Sequence, residues 1–307
     1  MKIAFLTLGC KLNYAETSTY EREFRKAGLE VATPSGEADI YLINTCSVTA
    51  TSDSKSRNLI RKMHRRSPQT RIVVCGCSAE LRKEEISKIE GVWKVFGSKE
   101  KSRIVPDVLE GIGLKESTPA EPEETFGAYS SGERTRSFLK VQDGCDNHCR
   151  YCTVPLARGD SRNIPICECV RMAEEIAALG VKEVVITGVN TGDFGRSTGE
   201  SFLDLLKALD RVEGIERYRI SSIEPNLLSD EIIDWIASGS KIQPHFHIPL
   251  QVGCDEILEA MGRHYTTDFF KHKIDRLREK LGEGVFIGID IMVGLPGETE
   301  ELFEKTY

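Results

Sequence analysis

Two rhythms of apolar and polar positions alternate along the first third of the chain. Short apolar runs occur at Ile3 to Leu8, Ile40 to Asn44, Arg71 to Val74 and Trp93 to Phe96. Between them, Tyr14 to Ala27 and Asp53 to Arg66 repeat their apolar positions every three or four residues. Buried strands joined by crossover helices produce this alternation, so residues 1–115 predict an α/β domain on an open parallel sheet of Rossmann-like type. Gly28 ends the first helix and Pro68 stops the second. Residues 116–132 are rich in Glu, Pro, Ser, Thr and Gly and predict a linker. A second series follows over residues 133–307, with strands expected at Ser137 to Val141, Glu183 to Thr187, Arg217 to Ser221, His245 to Pro249 and Val285 to Val293. Helical periodicity marks Cys169 to Leu179, Phe202 to Leu209, Ser229 to Ala237 and Thr267 to Leu281. Five such units predict a partial (β/α) barrel. The chain stops at Tyr307 without a sixth strand to cover the edge of the fifth, so it reads as the truncated front of a longer protein.

Composition places the chain among folded soluble proteins. Of its 307 residues 40% are hydrophobic and 29% charged, and no run of about 18 apolar residues is present. Met1 to Leu6 leads into a strand pattern rather than a signal-peptide core, so the expected location is the cytoplasm, with no membrane partner. A net charge of -7 argues against a generally basic, DNA-binding surface but leaves room for a local basic patch. Ten cysteines in such a chain point to metal or cluster ligation ahead of disulfides.

The cysteines fall in two groups. Cys145, Cys149 and Cys152 lie on one short loop directly after an expected strand. Three thiolates so placed can hold three irons of a four-iron cluster and leave the fourth open to a substrate. Cys10, Cys46 and the pair Cys75 and Cys77 follow three successive strands of the first domain, at the sheet edge where ligands bind in open α/β folds. There they can converge on a metal centre, the alternative being core cysteines acting as small hydrophobes. Cys77, on the turn after Gly76, is the better ligand, since Cys75 lies inside the apolar run. Cys167, Cys169 and Cys254 read as structural, and His148 as a neighbour of the cluster rather than a ligand.

The spacing of Cys145, Cys149 and Cys152 resembles the radical S-adenosylmethionine (SAM) superfamily. The runs Gly9 to Thr17, Asn44 to Thr49 and Gly76 to Glu80 resemble the amino-terminal domain of the methylthiotransferases. Ala157 to Arg162, Thr187 to Gly192, His247 to Gln251 and Gly294 to Thr299 extend the likeness in the expected order. Lys11-Leu12-Asn13-Tyr14-Ala15-Glu16-Thr17 resembles the branch acting on tRNA threonylcarbamoyladenosine, whereas the isopentenyladenosine branch has a Gln-Met-Asn version and the ribosomal-protein aspartate branch a Pro-Lys-Asn version.

This resemblance implies two 4Fe-4S clusters and SAM as cofactors. The second barrel-like unit would be a partial radical-SAM barrel, and SAM would chelate the open iron of the cluster on Cys145, Cys149 and Cys152. Its reductive cleavage would yield a 5'-deoxyadenosyl radical that removes a hydrogen from the adenine ring. Sulfur on the auxiliary cluster of Cys10, Cys46 and Cys77, methylated by a second SAM, would then be delivered to threonylcarbamoyladenosine next to the anticodon. By motif position, Thr187 and Gly188 would meet the methionyl end of SAM and Ser222 and Glu224 its ribose. Gln251 and Val293 would line the adenosine, with Tyr151 against the adenine. The implied partners are tRNA, bound weakly without the TRAM domain that usually follows in this family, and an electron donor such as flavodoxin or ferredoxin.

Seven basic residues without an intervening acid, Lys55, Arg57, Arg61, Lys62, Arg65, Arg66 and Arg71, form the one visible candidate for RNA phosphate contact, with a solvated helix face as the alternative. Arg158 and Arg162 are candidates for a substrate phosphate or the SAM carboxylate. Other readings of the whole chain are a methylthiotransferase acting on isopentenyladenosine tRNA or on a protein aspartate, a one-cluster radical-SAM methylase, and a zinc-binding RNA module. Zinc sites favour paired Cys-x-x-Cys knuckles, and only Cys149 to Cys152 has that spacing.

Overall fold

The computed structural model describes residues 1–114, 125–132 and 135–307, which pack as two units. The first comprises Met1–Gly132 and Thr153–Asp160, the second Glu133–Cys152 and Ser161–Tyr307.

The first unit contains β1 (Lys2–Thr7), α1 (Lys11–Lys26), β2 (Glu30–Ala32), β3 (Ile40–Thr45), α2 (Ala50–Arg66), β4 (Arg71–Gly76), α3 (Cys77–Leu81), α4 (Lys83–Ser87), β5 (Val92–Val95), α5 (Ile104–Gly111), the short β6 (Ala128–Tyr129) and α6 (Val154–Arg158). Five parallel strands make its sheet in the order β2-β1-β3-β4-β5. Every residue of β3 is buried, as befits a central strand covered on both faces. Alternate side chains divide between two cores. Ile3, Phe5, Ile40, Leu42 and Val73 meet Tyr20 and Phe24 of α1 and Val108 of α5, while Ala4, Tyr41, Ile43, Ile72 and Val74 meet Ile60 and Met63 of α2. Thr49 caps α2 by accepting from the Ser52 amide at 3.1 Å, so this helix starts three residues before the sequence pattern placed it.

Residues 116–124 of the expected linker lie outside the described residues. Residues 125–132 are not a free linker: Phe126 stacks on Tyr20 with centroids 5.2 Å apart, and Arg22 donates to the Tyr129 carbonyl at 2.8 Å. These contacts hold the stretch against α1, although its composition reads as unstructured.

The second unit contains β7 (Arg136–Lys140), β8 (Gln142–Asp143), β9 (Arg162–Asn163), α7 (Ile166–Ala178), β10 (Glu183–Thr187), α8 (Phe202–Asp210), β11 (Arg217–Ile220), α9 (Asp230–Ala237), β12 (His245–His247), α10 (Asp255–Met261), α11 (Thr267–Leu281), β13 (Phe286–Gly288) and α12 (Glu300–Thr306). Parallel pairing joins β7 to β10 and β10 to β11. Isolated bridges at Tyr218 with Ile242 and Ser222 with His247 carry the series on to β12, which pairs with β13. Among the described residues this arc of parallel strands does not close into a barrel, and no helix is long and apolar enough to cross a membrane.

Candidate functional site

In the second unit the loop of Cys145, Cys149 and Cys152 is held by buried polar groups. Gln142 donates to the carbonyls of Asp143 and Gly144 at 3.1 and 2.8 Å, and its side-chain oxygen accepts from the amides of Val189 and Asn190 at 2.9 and 3.0 Å. One amide therefore ties the cysteine loop to the loop after β10. Gly188 is needed for this clasp, because a Cβ there would lie 2.8 Å from the Gln142 oxygen. Lys140 and Asp143, both buried, pair at 2.7 Å, and Asp143 also accepts from the Gly144 amide at 2.9 Å.

Cys145 and Cys149 are buried and Cys152 is partly exposed. Burial pushes the Cys145 thiol up to about 11, although the Asn147 amide, 3.4 Å from its sulfur, favours the thiolate. Burial also raises Cys149, against the pull of Arg263. Both free thiols are protonated at neutral pH, so ligation must displace protons, as metal binding to cysteine does. Soft sulfur donors, an N–H directed at one sulfur and a nearby guanidinium suit an iron–sulfur cluster of negative charge. Among the described residues no three His, Cys, Asp or Glu side chains gather as one metal ion requires. Cluster thiolates each bind a different iron and need no such common point.

Glu224 is held against this loop. Asn147 donates to it at 2.8 Å, Arg263 pairs with it, and Arg263 also reaches the Tyr151 hydroxyl. Burial nevertheless raises the Glu224 carboxyl above its ordinary range, with Arg263 opposing. Arg263 carries little signal in the sequence. Its only local signal is a basic residue after Gly262, which ends α10 with φ +79°. The Thr187 hydroxyl turns back to the Val185 carbonyl at 2.9 Å. Ser222 Oγ lies 2.6 Å from His247 Nδ1. Gln251 is the non-glycine residue with positive φ among those described, +74°, a strained backbone at the carboxyl end of β12. Val293 is exposed.

The first unit brings Cys10, Cys46 and Cys77 to the carboxyl edge of its sheet, around the point where the strand order reverses between β1 and β3. Cys10 is the N-cap of α1 and exposed, Cys46 follows β3 and Cys77 opens α3. The buried Asn13 donates to the carbonyls of Leu8 and Thr45, both at 2.9 Å, and so clamps the first two loops together. The loops touch closely enough that a Cβ on Gly9, at φ +99°, would come within 2.9 Å of the Cys46 sulfur. Cys75 is fully buried and its thiol is raised well above the usual range by burial. Burial also raises Cys77, but Arg158 and Lys101 act in the opposite sense.

Those two cations belong to a buried network that sequence spacing did not reveal. Lys101 pairs with Glu16 at 2.8 Å, and Arg158 reaches Glu16 at 3.4 Å and the Asn13 side-chain oxygen at 2.5 Å. Arg158 is buried and directed at the first cysteine motif, on a helix that packs within the first unit. Arg162 lies 3.6 Å from Asp143.

Comparison with known proteins agrees with both parts. The description "Radical SAM superfamily" matches residues 139–307, and "Uncharacterized protein family UPF0004" matches residues 2–97. The threonylcarbamoyladenosine tRNA methylthiotransferase MtaB of Bacillus subtilis is 39% identical over 99% of this chain and 69% of its own length. The protein of that name from Aquifex aeolicus is 36% identical over 100% and 76%. A tRNA-2-methylthio-N(6)-dimethylallyladenosine synthase of Dictyoglomus thermophilum is 34% identical over 99% and 71%. Among solved structures, the radical SAM methyltransferase TsrM from Kitasatospora setae superposes with a TM-score of 0.66 at 17% identity, covering 98% of this chain and 71% of that one. The cobalamin-dependent radical enzyme OxsB gives 0.63 at 12% identity, covering 99% and 51%; both show the fold alone. With a thiol triad on each unit and relatives that align along nearly its whole length, the chain belongs to the radical-SAM methylthiotransferases.

Proposed function

We propose that this protein methylthiolates threonylcarbamoyladenosine in tRNA, working in the cytoplasm with SAM as both radical source and methyl donor. The observation that carries this reading is its identity of 35 to 39% to five methylthiotransferases named for that nucleoside, above the 31 to 34% to three named for dimethylallyladenosine.

In this reading Cys145, Cys149 and Cys152 hold one 4Fe-4S cluster and Cys10, Cys46 and Cys77 the other. When bound, these groups supply an electron that breaks the C5'–S bond of SAM and the sulfur that is transferred. The protein's own side chains bind and orient. Gln142 fixes the loop after β10 against the cysteine loop, and Arg263 keeps Glu224 and Tyr151 beside it. Ser222, Glu224, Gln251 and Val293 are assigned to the nucleoside part of SAM, with Thr187 and Gly188 near its methionyl end. Asn13 and Gly9 keep the Cys10 and Cys46 loops in contact. An electron donor such as flavodoxin or ferredoxin completes the system.

Deleting the gene and analysing tRNA nucleosides by mass spectrometry tests the substrate. The expected result is loss of the methylthio group from threonylcarbamoyladenosine and its return on complementation. Loss from isopentenyladenosine instead would overturn the branch assignment.

The tRNA is assigned to the outer face of α2. Exposed cations elsewhere in the protein commonly sit one turn from a carboxylate, as in Arg25 with Glu21 at 2.8 Å and Lys26 with Glu23 at 2.9 Å. Lys55, Arg61, Lys62 and Arg65 are exposed, and among the described residues none of them has a carboxylate partner. Arg57 is not part of this face, since it is engaged by Asp53 and Glu85. Replacing Arg61, Lys62 and Arg65 together with Gln should flatten the plot of log affinity for tRNA against log salt. Each lost phosphate contact removes about 0.7 to 0.9 from the slope. An unchanged slope would remove α2 from the RNA interface.

A further inference from the structure

The buried amide of Asn13 meets partners of a single polarity at each of its two ends. Its nitrogen donates to the carbonyls of Leu8 and Thr45, both at 2.9 Å, and a carbonyl only accepts. Its oxygen accepts from Arg158 Nη2 at 2.5 Å, and a guanidinium only donates. Turning the amide over would set its oxygen against two carbonyl oxygens and its hydrogens against those of the guanidinium. These three bonds therefore admit one orientation. Asn13 and Arg158 are 1% and 4% exposed, so water does not stand in for a lost partner. The backbone is pinned on both sides: Asn44 donates to the Asn13 carbonyl at 3.1 Å, and Ser98 donates to the carbonyl of Ala157, the residue before Arg158.

With Cys10 as a thiol, a second donor reaches the Asn13 oxygen. Cys10 Sγ lies 3.9 Å from it, a weak S–H bond. A cysteine that binds iron gives up that hydrogen. Of these two donors, Arg158 then remains.

We infer that Arg158 is a positioning residue for the amino-terminal thiols: it holds the Asn13 amide in the one orientation that ties the Cys10 loop to the Cys46 loop once Cys10 is a thiolate ligand. The inference rests on the reading that Cys10, Cys46 and Cys77 hold a cluster, and it adds what keeps two of their loops joined when it is bound. The Lys101–Glu16 pair at 2.8 Å does not depend on Arg158, so Glu16 keeps a cation when Arg158 is replaced.

The test is the rate at which the ferrous chelator bathophenanthroline disulfonate removes iron from the anaerobically reconstituted full chain. The parent protein has Cys145, Cys149 and Cys152 all changed to Ala, so that every iron read belongs to the amino-terminal thiols. Adding Arg158→Met should speed iron loss about tenfold, the scale of one hydrogen bond from a charged donor. Arg158→Gln keeps an N–H donor without the charge and should bring the rate back to within about threefold of the parent, as a neutral hydrogen bond allows. Asn13→Ala should lose iron at least as fast as Arg158→Met. The double variant should be no faster than Asn13→Ala alone, because Arg158 acts through that amide, whereas structural damage at two independent places would multiply. Parent-like rates in Asn13→Ala or Arg158→Met, multiplied losses in the double variant, or Arg158→Gln as fast as Arg158→Met would overturn the inference while the cluster reading stands. Absence of iron from the parent would remove the cluster reading itself, and the inference with it.

Discussion

Cys149→Ala protein should release no 5'-deoxyadenosine from SAM above background when supplied with a strong reductant. The thiol is buried, and the Arg150 amide that follows it donates to the Met261 carbonyl at 3.2 Å. Cys145 is fixed by the Asn147 amide on its sulfur, and Cys152 donates its own amide to the Cys149 carbonyl at 2.9 Å. Alanine leaves two thiolates where three irons need ligands. It also leaves Arg263 facing an apolar methyl where it now lowers the cost of a thiolate. Chromatography of the nucleoside product is the measurement. Wild-type amounts of 5'-deoxyadenosine from this variant would show that the assigned loop does not hold the SAM-cleaving cluster.

Cys46→Ala should divide the reaction at a different place. Cys46 lies in the first unit, and its replacement disturbs none of the contacts around Cys145, Cys149 and Cys152. SAM cleavage should continue near the wild-type rate, while methylthio transfer to tRNA falls to background. Changing Cys10, Cys46 and Cys77 together should lower iron from about eight to about four per chain after anaerobic reconstitution, the difference of one 4Fe-4S cluster. About four irons in both proteins would mean that the amino-terminal thiols hold no cluster. Methylthio transfer at the wild-type rate by Cys46→Ala would deny that thiol a part in sulfur delivery.

Much of this architecture is legible in local pattern. The strand Glu183–Thr187 and the helix Thr267–Leu281 have the bounds that their apolar periods predict, because burial and capping are decided within each segment. The three-residue strand Glu30–Ala32 left no such trace, and neither did the five-residue helix that Cys77 opens. Elements that short are made by their neighbours. The same division holds at the sites. Cysteine placement brings out both thiol groups, three on one short loop and three after successive strands. Gln142, Arg263 and Lys101 act on partners between 39 and 112 residues away in the chain, and no local pattern records such pairings. Arg158, close to the second cysteine triad in sequence, is turned in space toward Asn13 and Glu16 of the first motif.

The first unit is sewn from two stretches of chain, with α6 supplying Arg158 to a glutamate that lies 142 residues earlier. During synthesis the ribosome delivers that glutamate long before its guanidinium partner. At about 5 to 20 residues per second the interval is on the order of ten seconds. By the time α6 emerges and its contacts with Asn13 and Glu16 can form, Cys145, Cys149 and Cys152 have also been made. The amino-terminal thiols thus reach their finished surroundings only after every cysteine of the other triad exists.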